Sequence, residues 1–347
     1  MRVAVVHDRP CARRSLEALL GGAGHRVLWT AADGPEATRR CAEARPDLVV
    51  LGWSGGRGPQ EVAALVQAVG CPVLVVAPSL DRDAPWVFQA MGAGALDAVR
   101  LPDACQAAGS GGAELLHRLR TLEALVAVPR PPRAPAPAPA PAPGPPGALL
   151  ALGASTGGPR ALAVILRALG PRLRVPVVVV QHVDAQFAGE LAAWLRKQSG
   201  LPVRLAEEGE APLSGTVLLA GRDAHLRLDP RGRLRYGAEP RDEVYRPSVN
   251  VFFESLAAHW PGHGVAVLLT GMGRDGARGL LALRRRGFHT IAEHASTCAV
   301  YGMPRAAVEL GAATEVLPLP RIAAAVEQAL LRRPERRQAV QAGRMRG

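Results

Sequence analysis

The sequence predicts an α/β protein made of two doubly wound parallel sheets, one in each half of the chain. Three observations predict it. Short Val- and Leu-rich runs alternate with stretches of helical spacing in both halves. A Pro/Ala-rich seam over Pro129–Gly147, PRPPRAPAPAPAPAPGPPG, parts the halves, because repeated Ala-Pro favours an extended spacer with no core of its own. The length of 347 residues suits two domains of about 150 residues each.

In the first domain, residues 1–122, Val3–Val6, Val27–Thr30, Leu48–Leu51, Val73–Val76 and Ala95–Val99 read as strands. Ala12–Leu20 and Glu61–Val69 read as helices between them. The linker comes next at 129–147, and a second domain spans 148–335. There Ala148–Leu152, Val175–Gln181, Val217–Ala220 and Val265–Thr270 read as strands, with helices such as Arg160–Leu169 and Glu190–Gln198. Leu226–Leu228 and Leu234–Tyr236, joined through Asp229-Pro-Arg-Gly-Arg233, form an expected antiparallel hairpin.

Composition narrows the classes. Hydrophobic residues make up 48% and aromatics only 4%, so the cores must be built from Ala, Leu and Val. No apolar run approaches the roughly 18 residues of a membrane span. The N-terminus, Met1-Arg2-Val3-Ala4-Val5-Val6-His7-Asp8, reads as a strand rather than a signal peptide, since its apolar run stops at an acid. The five cysteines, Cys11, Cys41, Cys71, Cys105 and Cys298, are scattered without a C-x-x-C pair. Neither a zinc site nor a disulfide framework is expected, and a reducing cytoplasm fits. The net charge of +12 raises nucleic acid as a partner. The Arg excess, however, is sprinkled through an Ala/Pro/Gly/Arg-rich composition. Its densest patch (Arg332, Arg333, Arg336, Arg337, Arg344, Arg346) reads as a solvated end, with a basic tail over 336–347. Nucleic acid is therefore not an expected partner.

Three motifs succeed three strands of the second domain. They are Gly153-Ala154-Ser155-Thr156-Gly157-Gly158-Pro159, Gln181-His182 and Gly271-Met272-Gly273-Arg274-Asp275-Gly276. Ligands of open parallel sheets sit outside the carboxyl ends of the strands, so these distant segments can converge on one crevice. A serine hydroxyl needs a base, which histidine supplies near neutral pH. A carboxylate behind the imidazole fixes its tautomer. Ser155, His182 and Asp275 fit those roles. The helix start at Gly158-Pro159 is expected to offer free N–H groups to an oxyanion, and the Gly271–Gly273 turn further donors. Each motif alone has a plainer reading: a packing turn, a structural histidine, a helix cap. Their joint placement carries the argument. A dinucleotide loop would need glycine where Ser155 stands, G-K-[ST] is absent, and the order Ser…His…Asp differs from the Ser…Asp…His of ordinary α/β-hydrolases.

With Arg246-Pro247-Ser248-Val249-Asn250, Gly271–Gly279 and Tyr301-Gly302-Met303-Pro304, these segments resemble the CheB family of chemotaxis protein-glutamate methylesterases. The resemblance spans a receiver-like (CheY-like) domain, a linker and an esterase. It implies hydrolysis of glutamyl methyl esters on membrane chemoreceptors with release of methanol, and in many members deamidation of receptor glutamines. It implies Ser155 as nucleophile, His182 as base, Asp275 as its orienter, and Thr156, Gly157 and Met272 as residues of the site loop or oxyanion hole. It implies a methylated receptor's cytoplasmic domain as partner, a chemosensory histidine kinase beside it, and no metal or organic cofactor. Val27–Thr30, Phe88–Asp97 and Ala292–Pro304 resemble the Wsp-type branch, which serves a surface-sensing pathway controlling a diguanylate cyclase. Two departures stand out. Glu293-His294-Ala295 replaces the family's Gln-Asp-Glu, and Ala220-Gly221-Arg222 replaces its Ala-Pro-Gly before His225. Neither is expected to touch the triad.

The first domain lacks the chemistry of a working receiver, which needs a phosphoacceptor aspartate, neighbouring acids for Mg²⁺, a Ser or Thr, and a Lys. Gly52 stands at the phosphoacceptor position, His7-Asp8 at the acid pair, Ala77 at the Ser/Thr and Leu101-Pro102 at the Lys-Pro. Asp47 precedes its strand and is no substitute. The expectation is a pseudo-receiver that docks or inhibits without being phosphorylated. Two rival functions remain: a catalytically idle receptor-binding scaffold, and a DNA-binding response regulator, which would need a helix-turn-helix after the linker.

Overall fold

Apolar runs without alternation mark strands covered on both faces, and that is how they are used here. The computed structural model describes residues 1–52, 59–78, 80–100, 110–123, 147–170 and 173–331. Leu101-Pro102, residues 129–146 of the linker and the tail 336–347 lie outside them. The first half runs β1 (Arg2–Val6), α1 (Pro10–Gly22), β2 (Arg26–Ala31), α2 (Gly34–Glu43), β3 (Leu48–Gly52), α3 (Pro59–Val69), β4 (Val73–Ala77), α4 (Leu80–Ala93), β5 (Asp97–Arg100) and α5 (Ser110–Glu123). Its strands pair in parallel in the order β2-β1-β3-β4-β5. Every residue of β3 and β4 is buried. β5 begins two residues later than expected, because Ala95 N–H still closes on Ala90 O at 2.9 Å to end α4.

The second half runs β6 (Leu149–Ala154), α6 (Gly158–Leu169), β7 (Val177–Gln181), α7 (Ala185–Ser199), β8 (Val203–Leu205), β9 (Val217–Leu219), β10 (His225–Leu228) and β11 (Leu234–Gly237). It continues with α8 (Val249–His259), β12 (Gly264–Leu268), α9 (Ala277–Arg285), β13 (His289–Glu293), α10 (Met303–Glu309), β14 (Glu315–Leu317) and α11 (Leu319–Leu331). The parallel sheet is ordered β14-β13-β12-β6-β7-β9-β8, and β10-β11 is the antiparallel hairpin. The chain starts in the middle at β6, builds one wing through β7, then crosses back to build the other from β12. That reversal beside β6 is a topological switch point, where crevices open.

The two halves share a seam. Phe88 of α4 stacks near Trp194 of α7 with ring centroids 6.2 Å apart. One apolar cluster runs through Trp86, Phe88 and Met91 into Leu162, Leu191 and Trp194. Cys11 is disulfide-bonded, while Cys41, Cys71 and Cys298 are free. Among the described residues no helix is long and apolar enough to cross a membrane, and none of the acidic, His and Cys side chains gather as a metal cluster.

Candidate active site

The turn after β6 places Ser155 where strand becomes helix. Its N–H donates to Thr270 O at 3.0 Å, just beyond β12. Gly157 adopts φ 77°, a left-handed conformation that favours glycine, and Pro159 then opens α6. Gly271 lets the loop after β12 approach: a Cβ there would lie 2.7 Å from Ser155 Cβ and collide with Met303 Sδ. Gln181 at the end of β7 ties two carbonyls, donating Nε2–H to Ser155 O at 2.9 Å and to His182 O at 3.0 Å.

His182 Nε2 lies 2.7 Å from Asp275 Oδ2. The same carboxylate sits on the N-terminus of α8. Oδ2 accepts from Val249 N at 2.7 Å, and Oδ1 accepts from Ser248 Oγ at 2.9 Å, Asn250 N at 2.8 Å and Gly276 N at 2.9 Å. Burial pushes this carboxyl up, but the His182 hydrogen bond and charge and the Asn250 and Val249 N–H groups outweigh it and hold Asp275 below its ordinary value. The helix it stabilises is therefore α8, rather than the following helix of its plainer reading. Ser248 is itself set by buried His225, whose Nδ1 accepts from Ser248 N at 3.2 Å and whose Nε2 faces Pro240 O at 3.0 Å. Tyr245 stacks on His182 with ring centroids 4.2 Å apart and planes 10° off parallel.

His182 Nδ1 is buried and without a hydrogen-bond partner among the described residues. Ser155, 5% exposed, lines with His182 a cavity of about 240 Å³. The first half supplies the other wall, with Phe88, Met91, Asp97, Arg100 and Arg118. Thus Asp275 and His182 are in direct contact, and Ser155 opens onto the same space.

Two N–H groups at the start of α6 are engaged within the fold. Gly157 N–H donates to Leu96 O of the first half at 3.1 Å, and Gly158 N–H to Ser155 O at 2.7 Å, so these helix-start donors are engaged. The left-handed turn at Gly157 aims its N–H at the strand approaching from the first half. Thr156 Oγ1 donates to Asp97 Oδ2 at 3.3 Å, and Asp97 also pairs with Arg118 at 3.3 Å. Met272 is buried among residues of the first half, such as Leu115 and Leu119.

A family model described as CheB methylesterase matches residues 150–326. The chain belongs to the CheB methylesterase family. Among its relatives, "Protein-glutamate methylesterase/protein-glutamine glutaminase 3" of Pseudomonas savastanoi pv. phaseolicola is 44% identical, covering 93% of this chain and 97% of that one. "Protein-glutamate methylesterase/protein-glutamine glutaminase 2" of Burkholderia orbicola is 46% identical with the same coverage. A solved CheB methylesterase catalytic domain from Thermotoga maritima is 37% identical, covering 52% of this chain and 97% of that one with a TM-score of 0.49.

Sequence reading assigned no role to Tyr245, Ser248, Thr270 or Glu293. Ser248 carried a signal, since a serine just before a helix reads as a cap, and its Oγ accepts from Val251 N at 3.3 Å. The others meet the site only through tertiary contacts. Glu293, thought remote from the triad, accepts Thr270 N–H at 2.9 Å and is one residue away from the carbonyl that holds Ser155.

Proposed function

We propose that this chain hydrolyses glutamate methyl esters on the cytoplasmic domains of methyl-accepting receptors, and deamidates receptor glutamines, with Ser155 as nucleophile, His182 as general base and Asp275 as orienting carboxylate. The observation that carries the reading is the 2.7 Å contact between His182 Nε2 and Asp275 Oδ2, with Ser155 on the same cavity. Asp275 engages Nε2, so the proton sits there and the Nδ1 lone pair is left to act as base. Ser155 Oγ attacks the ester carbonyl and gives its proton to Nδ1. The tetrahedral intermediate collapses, and methoxide takes that proton to leave as methanol. Water, activated by the same nitrogen, then attacks the acyl-serine and releases glutamate and Ser155. A glutamine side chain takes the same course with ammonia leaving. The Thr156 turn and the Met272 loop flank the nucleophile and are the segments we assign to the oxyanion. No metal or organic cofactor enters the scheme.

The enzyme would work in the cytoplasm, beside a receptor and its histidine kinase. We read residues 1–122 as a pseudo-receiver, 129–147 as a linker and 148–335 as the esterase. Gly52 supports the first of these: a Cβ at this position would lie 2.9 Å from His7 Cγ, and the buried His7 ring takes the space of a phosphoacceptor side chain. Incubation with a small phosphodonor and Mg²⁺ should leave no base-labile adduct on this domain. The function itself is tested by methanol release from a methylated receptor's cytoplasmic domain. Release by the intact protein that vanishes in Ser155→Ala supports the esterase. No release, with a receptor that a related esterase demethylates, would leave the idle scaffold.

A further inference from the structure

Glu293, the last residue of β13, reaches the backbone segment that holds the nucleophile. We propose that Glu293 is a positioning residue of the esterase, whose carboxyl group holds the Thr270 backbone and, through Thr270, the turn that carries Ser155. The inference rests on the methylesterase reading.

Thr270 is a strut between three segments. Its N–H donates to Glu293 Oε2 at 2.9 Å, and its carbonyl accepts Ser155 N–H at 3.0 Å. Its Oγ1 contacts Thr156 O at 3.0 Å and accepts Val300 N–H at 2.9 Å. The next residue, Gly271, packs directly on Ser155. Every polar atom of Thr270 is thus tied, and Glu293 ties the one that faces away from the nucleophile. Without it a buried N–H would lack its partner, and the strut would shift to find another.

The acid differs from an amide in one respect. Glu293 is 0% exposed, and its Oε1 has no hydrogen-bond partner among the described residues. A buried carboxylate with a bare oxygen is disfavoured. Burial pushes the Glu293 carboxyl up, opposed first by the Thr270 N–H and then by the nearby Thr297, Cys298 and Arg160. Those are the groups that face it: Arg160 from α6, and Thr297 and Cys298 from the segment after β13, the thiol being itself pushed far up by burial. β14 presents apolar Leu317 in register with it, and the exposed His294 ring turns to Ser296 at 2.8 Å. A group raised in this way supports the fold in its neutral form. Its contribution is complete below the ordinary value of 4.5 and is lost as pH rises through the raised one. The fold should then show an alkaline decline in stability that an amide at this position would remove.

The test uses the full chain with Glu293, Glu293→Gln and Glu293→Ala. It measures kcat and KM for methanol release from a methylated receptor cytoplasmic domain, fluorophosphonate labelling of Ser155, and urea unfolding, over about pH 5 to 9. Glu293→Ala should lower kcat and the labelling rate by about 10²-fold while leaving KM nearly unchanged. Glu293→Gln should restore the rate and lack the alkaline decline. A Glu293→Ala protein as fast as the parent, or a Glu293→Gln protein with the parent's decline, overturns the inference alone. A parent protein whose Ser155 is neither labelled nor productive overturns both it and the esterase reading. Should Glu293→Ala fail to fold, the Glu293→Gln profile decides.

Discussion

Replacing Asp275 with Asn keeps the shape of the side chain and removes its charge, and the partners of the carboxylate set the cost. Oδ1 faces three donors, Ser248 Oγ, Asn250 N and Gly276 N, while Oδ2 faces Val249 N and His182 Nε2. Whichever way the amide turns, its NH₂ meets N–H groups that need an acceptor. The cheaper turn sets NH₂ toward Val249 and His182. One buried N–H is then stranded at about 1–3 kcal/mol, and charge-assisted bonds worth about 1.5–3 kcal/mol weaken. Together the loss of stability should be about 2.5–6 kcal/mol. To accept from the amide, Nε2 must lose its proton, which moves to Nδ1, the nitrogen needed as base. A wrong tautomer of this kind lowers kcat by about 10⁴-fold in a serine protease, and a comparable loss is expected here. Methanol release and urea unfolding measure the two effects. An Asp275→Asn protein within about tenfold of the parent kcat would refute the orienting role and the tautomer argument with it.

Asp275 also predicts acid sensitivity. Its pKa is depressed, so its contribution to stability is present above the ordinary value of 3.8 and is lost as pH falls through the native one. Acid unfolding followed by circular dichroism should be less steep in Asp275→Asn than in the parent. Tyr245→Ala removes the ring that stacks on His182 and should lower kcat/KM up to about tenfold, whereas Tyr245→Phe should retain it, as steady-state kinetics will show. At the seam, a Cβ on Gly92 would lie 2.7 Å from the Trp194 ring. Gly92→Val should wedge the halves apart and raise the rate of fluorophosphonate labelling of Ser155 several-fold; an unchanged rate would show that the seam does not limit access. Gly52→Asp should gain no phosphoryl adduct and lose about 1–3 kcal/mol in urea unfolding, because His7 already fills the space.

Much of the fold and of the site was legible in the sequence, for identifiable reasons. Val177–Val180 and Val265–Leu268 read as strands because covered parallel strands are continuously apolar. The Ser155, His182 and Asp275 segments could be assigned to one crevice because each comes after such a strand. What escaped was set by partners distant in the chain. β8 and β14 are three residues long, too short for any period to show. α8 has Val and Phe on most of its first turns and reads equally as strand until Asp275 is seen to cap it. The engagement of Gly157 N–H depends on Leu96, 61 positions earlier, and only the docked seam reveals it.

That last contact joins main chain to main chain, and its consequence is genetic. Neither the carbonyl of residue 96 nor the amide of residue 157 belongs to a side chain, so substitution at 96 leaves both atoms in place. At 157 the left-handed backbone and the close Ala299 side chain keep the position glycine. A survey that replaced every residue in turn by alanine could find Asp97, Thr156 and Trp194 and learn nothing of this joint from residue 96. The side chains around it are free to diverge while the link persists.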